Sequence, residues 1–206
     1  MTLKIFSLGI FAFFLAACST SPKKAVSGPI DKARWETKMR VKDLSRNKSQ
    51  SLSVDVLGEK TGPLRLEATA IMGYPVASYV MDQQGFRCAV YPQKQFYEGP
   101  LTENALRPLV KIALSPQILR HIAFDEPIRG TDWVCQAGED RLVSECRSAR
   151  RGLTIAWNRH ESGKTVKVRG AEFEMDWAFD HPQTEVQFKD GTFRLETPSG
   201  FKVIRL

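Results

Sequence analysis

Cysteines and histidines are the residues of this chain best suited to covalent or metal chemistry, and the sequence contains four and three of them, respectively. Cys135 and Cys146 flank a turn signal at 137–140, so neighbouring strands would bring their sulphur atoms within bonding distance. We predict a disulfide between them, and a pair of buried unpaired thiols is the alternative. Cys88 lies in an alternating apolar segment and is predicted to be a small core residue.

The sequence contains neither a recognisable metal site nor a catalytic motif. Cys-x-x-Cys and closely spaced histidine pairs are absent, which argues against zinc. The Gly-x-Ser-x-Gly elbow, a phosphate-binding glycine loop and His-Glu-x-x-His are absent as well. His121, His160 and His181 are isolated, so only a convergence of Ser, His and Asp in space would give a triad. We predict that the protein is not an enzyme and uses no metal or cofactor.

The fourth cysteine, Cys18, follows an N-terminal targeting segment. Lys4 precedes an apolar run at 5–17, which has the length of a signal-peptide core and is too short to span a bilayer. The run ends in Leu15-Ala16-Ala17-Cys18, which resembles the bacterial lipobox. That resemblance implies cleavage before Cys18, thioether-linked diacylation and acylation of the new amino group. Ser19 stands where Asp would favour the inner membrane, which implies the outer membrane. An ordinary secretory signal is the alternative.

These features divide the chain into three predicted parts. They are a lipoprotein signal peptide at 1–17, the lipidated Cys18 with a flexible tether at 18–33, and a folded domain at 34–206. Residues 19–31 contain Pro, Gly and Ser without periodicity, which indicates a tether with a root-mean-square reach of about 20 Å. Because two or more acyl chains attach a protein stably to a bilayer, we expect a lipid-anchored protein on the periplasmic side of the outer membrane.

Composition and charge argue against a nucleic-acid function. The 206 residues include 30 Lys and Arg against 23 Asp and Glu, and the basic residues are spread without a dense block. The resulting charge of +7 is interpreted as a solvated surface with a secondary attraction to anionic membranes. The hydrophobic fraction of 42% is sufficient for one domain with a core of its own.

Alternation of apolar and polar residues dominates the sequence from Arg34 onward and predicts a mainly β fold. The clearest pattern places Phe173, Met175, Trp177 and Phe179 opposite acidic neighbours. The predicted strands are 34–42, 51–56, 64–69, 76–82, 86–91, 95–99, 132–136, 141–147, 152–158, 164–169, 172–179, 184–188, 192–196 and 201–206.

Between the two sets of strands the apolar spacing becomes helical. A first helix is predicted within 102–114, and a second short helix with Ile118, Leu119 and Ile122 follows Ser115-Pro116. Two short helices cannot cover so many apolar strand faces. We therefore predict a curled antiparallel sheet that forms an incomplete, hollow barrel with a short helical lid.

This order of elements resembles that of LolB, the outer-membrane lipoprotein receptor family of the LolA/LolB superfamily. The resemblance covers most of 34–206 and rests on the lipobox, the strand at 35–41, the meander at 64–79, the helical insert and the block at 182–196. Its sharpest motif is the turn Ile71-Met72-Gly73, where the family has Pro-Leu-Gly with a protruding Leu that engages lipid. The resemblance implies that Ile71 and Met72 form a membrane-inserting loop, with Met72 in the place of that Leu.

The resemblance also implies a function and a set of partners. A LolB-like protein receives the acyl chains of lipoproteins from a LolA-type periplasmic carrier and delivers them into outer-membrane lipid. We expect apolar residues of the inner face to line an acyl-chain cavity. They are Trp35, Met39, Leu66, Leu106, Leu109, Leu114, Ile155, Trp157, Phe173, Met175 and Trp177. The alternatives are a carrier of another lipid or hydrophobic ligand with the same fold, and a structural lipoprotein of envelope assembly whose apolar faces form a filled core.

Overall fold

The computed structural model describes residues 30–103, 105–107 and 115–206. Cys18, the predicted signal peptide, the tether as far as residue 29, and the predicted cavity residues Leu109 and Leu114 lie outside these ranges. The strands before the helix are β1 (Lys32–Asp43), β2 (Lys48–Glu59), β3 (Leu64–Ala70), β4 (Pro75–Met81), β5 (Phe86–Val90) and β6 (Gln95–Gly99). The helix α1 (Gln117–Phe124) is followed by β7 (Val134–Ala137), β8 (Val143–Ser148), β9 (Leu153–His160), β10 (Gly163–Arg169), β11 (Phe173–Asp180) and β12 (Lys202–Arg205).

All these strands belong to one sheet, in the order β12-β6-β5-β4-β3-β2-β1-β11-β10-β9-β8-β7. The long hairpin of β1 and β2 lies at its centre, and β1 joins the two halves by pairing with β11. The edge strands β7 and β12 are not paired with each other in the described part of the chain, so the sheet curls without closing. The prediction of a mainly β, incomplete barrel with a short helix is confirmed.

Alternation along the strands creates the apolar inner face of this sheet. In β11 the side chains of Phe173, Met175, Trp177 and Phe179 are buried, whereas the acidic residues between them are half-buried. Burial of each such side chain contributes roughly 1.5–3 kcal/mol, which commits the strand to one orientation. The inner face of the curled sheet therefore holds the main core.

The helix α1 begins and ends at residues suited to those positions. The Ser115 hydroxyl accepts a hydrogen bond from the Gln117 N–H at 3.3 Å, and Pro116 precedes the first helical residue with a helical φ of −49°. Asp125 ends the helix in the left-handed conformation, with φ of +55°, a conformation that Asp tolerates better than most residues. The apolar side of α1, including Ile118, Ile122 and Phe124, is buried.

The predicted strands at 184–188 and 192–196 are wrong. This segment crosses the outer side of the sheet, where Phe193, Leu195 and Phe201 pack with a second cluster that contains Val80 and Phe96. Its carbonyl groups find a side-chain partner, because the Arg65 guanidinium donates to the backbone oxygens of residues 192 and 194 at 2.7 and 3.0 Å. The apolar residues thus pack one side of an irregular segment against the sheet, and the segment does not pair with a neighbouring strand.

Two further features differ from the predicted antiparallel sheet and its boundaries. The last strand, β12, pairs with β6 in the parallel direction. The segment that crosses the outer side supplies the long connection that a parallel pair requires, and Lys202 enters beside Lys94. In addition, β1 begins at Lys32, two residues before the predicted start of the domain at Arg34.

The cysteines of the described region are arranged as a bonded pair and a buried thiol. Cys135 and Cys146 are direct partners across the β7–β8 pair, and a disulfide joins them. Cys88 lies on the inner face of β5 and is buried. Burial raises the pKa of its thiol to about 12, so it stays protonated and unreactive.

Candidate functional site

The inner face of the sheet brings most of the predicted cavity residues into a single apolar cluster. Those within the described ranges are Trp35, Met39, Leu66, Leu106, Ile155, Trp157, Phe173, Met175 and Trp177, and all of them except the half-buried Met39 are buried. Two polar groups inside the cluster are paired: the Trp177 indole N–H donates to the Thr37 hydroxyl at 2.8 Å, and this hydroxyl donates to the Val54 carbonyl at 2.6 Å. The buried Tyr79 hydroxyl has no hydrogen-bond partner among the described residues.

Burial of the inner face decreases from one end of the sheet to the other. At the end beside α1, Trp35 and Leu64 are almost completely buried. Toward the other end, Met39, Leu52 and Ala70 are aligned across β1, β2 and β3 and are only half-buried. An apolar surface at this end is therefore within reach of solvent or of a ligand.

The turn between β3 and β4 continues this half-buried surface into solvent. The Ala70 carbonyl accepts a hydrogen bond from the Gly73 N–H at 2.8 Å, so Ile71 and Met72 are the two central residues of a β-turn. Gly73 has a φ of +79°, which a glycine adopts without strain. Ile71 and Met72 are 82% and 81% exposed, and Tyr74 beside them is 67% exposed.

At the opposite end of the face, Lys164 attaches the C-terminus of α1 to the sheet. Its ammonium group donates to the carbonyl oxygens of Ile122 and Ala123 at 3.0 and 2.6 Å and to the Asp125 carboxylate at 2.6 Å. The ammonium also lies 4.7 Å from the centre of the Phe179 ring. These bonds satisfy carbonyl groups that a helix leaves unpaired at its end.

The electrostatic balance around Lys164 depends on its acidic partner. Burial lowers the pKa of Lys164, and the contact with Asp125 acts in the opposite direction. Arg159 shares the same carboxylate at 3.4 Å. A cavity of about 390 Å³ opens beside this cluster, and its wall includes Trp35 and Phe124. This end of the barrel thus combines an apolar floor with a charged rim.

His121 is a second titratable group near the cavity, and its side chain is half-buried on α1. Its Nδ1 atom has no hydrogen-bond partner among the described residues and lies 3.7 Å from the Glu126 carboxylate, which in turn is 3.9 Å from the Lys60 ammonium. Burial lowers the pKa of His121 to about 4, and the guanidinium groups of Arg120 and Arg129 act in the same direction. The imidazole is therefore neutral in the folded protein at pH 7.

We expect stability to fall as the pH is lowered from 6.5 to 4. In that window the unfolded chain protonates His121 and the folded protein does not, so the unfolded state binds more protons and gains up to about 3 kcal/mol. Urea unfolding at several pH values would measure this loss, and a His121→Gln variant should lack it. The exposed His160 provides a control: His160→Gln should keep the full pH dependence, and an unchanged slope in His121→Gln would contradict the assignment.

Several residues of the site were not predicted from the sequence. Lys164, Asp125 and Tyr74 are the clearest examples. Lys164 could have been predicted, because it occupies the same face of β10 as Val166 and Val168. A lysine on a buried strand face requires hydrogen-bond acceptors or an acidic partner in the interior. The contribution of Asp125 depends on the left-handed turn that ends α1, which single-sequence patterns do not indicate.

The described residues contain no cluster of three or more His, Cys, Asp or Glu side chains that is arranged to hold a metal ion. In the same residues, no helix has both the length and the hydrophobicity that crossing a bilayer requires.

Similarity to known proteins was found among solved structures. No protein-family model matches the sequence, and no curated protein matches it significantly. A DUF1329 family protein from Desulfovibrio piger is similar with a TM-score of 0.56 and 8% identity, over 80% of this chain and 90% of that chain. A LolA superfamily protein from Nitrosomonas europaea gives a TM-score of 0.53 and 9% identity, over 82% and 92%. A domain described as an outer-membrane lipoprotein-sorting protein, from Vibrio parahaemolyticus, gives 0.51 and 8%, over 79% and 88%.

Identities of 8 to 9% relate these proteins through their folds alone. The similarity extends over about four fifths of this chain, so it covers most of the curled sheet. The chain thus has the fold of LolA-superfamily proteins.

Proposed function

We propose that this protein is a LolB-like lipoprotein receptor of the outer membrane, which binds the acyl chains of other lipoproteins on its inner face and helps to insert them into the membrane. The observation that carries the proposal is the exposed turn of Ile71 and Met72. Exposure of these two large apolar side chains to water contributes no stability to the fold. They adjoin the half-buried end of the apolar inner face. A surface that passes cargo into lipid needs both properties at one place.

The proposal includes an anchor and three kinds of partner. Lipidation of Cys18, a residue outside the described ranges, would hold the protein on the periplasmic side of the outer membrane. The partners are acylated lipoproteins as cargo, a LolA-type periplasmic carrier as donor and outer-membrane lipid as acceptor. The transfer moves acyl chains between apolar surfaces, so it requires no bond cleavage, metal or cofactor.

The inner face is suited to acyl chains by its chemistry. An acyl chain offers no hydrogen bonds, and its transfer from water is favourable by about 0.8 kcal/mol for each buried CH₂ group. The half-buried row that contains Met39 and Leu52 is the accessible part of this face. Flexible side chains such as those of Met39 and Met175 adapt to chains of different length and saturation.

Binding of an apolar fluorescent probe tests this part of the proposal. The soluble chain, with Cys18 replaced by Ser and the signal peptide removed, should bind anilinonaphthalenesulfonate and release it to a diacylated peptide. Met39→Asn should weaken peptide binding roughly tenfold because it places an amide in the apolar row. Lys38→Asn, on the opposite face of β1, is the matched control and should bind normally. A folded protein that binds neither ligand would instead favour a filled, structural core.

A further inference from the structure

The outer face of β1 carries a row of basic side chains next to the exposed turn. Lys38, Arg40 and Lys42 occupy alternate positions and point away from the apolar inner face. We call these three residues the cationic ladder. On the neighbouring strand β2, each ladder residue has a serine as its direct partner, in the pairs Lys38–Ser53, Arg40–Ser51 and Lys42–Ser49.

The ladder charges remain unpaired, whereas the acidic residues near them have other partners. Asp176 and Glu174 lie opposite ladder residues on β11. Their carboxylates are engaged by the Arg169 guanidinium at 2.7 and 3.7 Å. No ladder residue has an ion pair within 4.0 Å among the described residues. The β1–β2 face is therefore locally positive although acidic side chains are present.

A groove connects the ladder to the exposed turn. It has a volume of about 450 Å³, and its lining includes Lys38, Arg40, Ser51, Ser53, Asp176 and Ile71. Ile71 lines this groove together with Ser51 and Ser53, which face outward on β2. An apolar anchor, two basic groups and two hydroxyl groups thus share one groove.

We propose that the cationic ladder binds the phosphate groups of anionic phospholipids at a bilayer surface, so that the domain lies on the outer face of β1 and β2 while the turn enters the lipid. This inference rests on the proposed function. Lysine supplies a mobile point charge, arginine a planar fork that binds two phosphate oxygens, and serine hydroxyls additional donors. A bilayer is the partner that offers phosphates and hydrocarbon at adjacent depths, as this groove requires.

The position of the predicted tether supports this orientation. The chain enters β1 at Lys32, and the register places the end of β3, where the turn of Met72 begins, level with Met39, roughly 23 Å further along β1. The 13 residues between Cys18 and Lys32 have the composition of a linker with a reach of about 20 Å. A domain standing upright on its turn would require the tether to stretch beyond this root-mean-square reach, which costs conformational entropy. A domain lying on the ladder keeps both ends of β1 near the bilayer.

Partition onto lipid vesicles tests the ladder. The soluble Cys18→Ser chain is mixed with phosphatidylcholine vesicles with and without phosphatidylglycerol, and bound protein is measured by cosedimentation. The variant Lys38→Gln/Arg40→Gln/Lys42→Gln should bind the anionic vesicles roughly 100-fold more weakly than the parent, the factor expected for three basic residues at such a surface. On pure phosphatidylcholine the two proteins should bind equally.

A control with the same change in net charge separates the ladder from general attraction. Arg87, Arg141 and Lys189 are exposed and lie outside the ladder and the strands beside it. Their replacement by Gln should weaken binding by no more than about threefold. Equal losses of vesicle binding in both triple variants, or unchanged binding in the ladder variant, would contradict the proposal that the ladder binds anionic lipid.

The proposed function is tested separately, by transfer of an acylated lipoprotein from the LolA-type carrier in the absence of vesicles. The ladder variant should accept this cargo as the parent does. A parent that accepts no cargo would contradict the proposed function, whereas the vesicle measurements would still decide on the ladder.

Discussion

Replacing Met72 by Glu is expected to reduce delivery of lipoprotein into membranes at least tenfold while the melting temperature stays unchanged. Met72 is 81% exposed, so the folded protein loses almost no packing with it. Burial of this side chain in lipid would stabilise the membrane-bound state by about 1.5–3 kcal/mol, a factor of about 10 to 150 in the membrane-binding constant. A glutamate carboxylate would not enter the lipid, so this stabilisation would be lost. Delivery from preloaded protein to vesicles, followed with a labelled lipoprotein, gives the measurement.

The matched control for this prediction is Thr61→Glu, which introduces the same charge in the exposed turn between β2 and β3 at the other end of the sheet. It should deliver cargo normally. Acceptance of cargo by Met72→Glu should also be normal, because the turn is separate from the buried part of the inner face. A marked loss of stability, or delivery equal to that of the parent, would show that the turn has no role in membrane insertion.

Replacing Lys164 by Ala is expected to lower the free energy of unfolding by about 3 kcal/mol. The substitution removes three hydrogen bonds to the C-terminus of α1. It leaves the Ala123 carbonyl oxygen without this donor, and the Ile122 oxygen keeps only the longer bond from the Trp157 indole N–H at 3.4 Å. Loss of one partner from a buried charged cluster has costs of this size. Urea unfolding followed by tryptophan fluorescence would measure the change.

Lys167 offers the control, because it lies on the same strand β10 with its side chain exposed on the other face. Lys167→Ala should change stability by less than about 0.5 kcal/mol. Similar losses in the two variants would mean that the buried bonds of Lys164 do not hold the helix.

The sequence predicted those parts of the fold that are encoded by local alternation. The inner-face residues of β1, β9 and β11 could be assigned because large apolar side chains recur at every second position. The same alternation at 192–196 was misleading, because Phe193 and Leu195 cover the outer side of the sheet without joining it. Periodicity reports which residues need burial, but it does not report whether the backbone has a hydrogen-bonded neighbour.

The candidate site was predictable to different extents at its two ends. Exposure of Ile71 and Met72 agrees with their position in a turn between two alternating strands. The cluster of Lys164, Asp125 and α1 depends on contacts between residues about 40 positions apart, and no local pattern specifies them. The parallel pairing of β12 likewise depends on the path of a long irregular segment.

Transfer of an acylated lipoprotein is the measurement that tests the proposed receptor function most directly. The soluble Cys18→Ser chain is incubated with a LolA-type carrier that holds an acylated lipoprotein, and the two proteins are then separated and assayed for cargo. We predict that the acylated cargo moves to this chain and that a non-acylated form of the same cargo does not. If the acylated cargo stays on the carrier while this chain is folded, the proposed receptor function is contradicted.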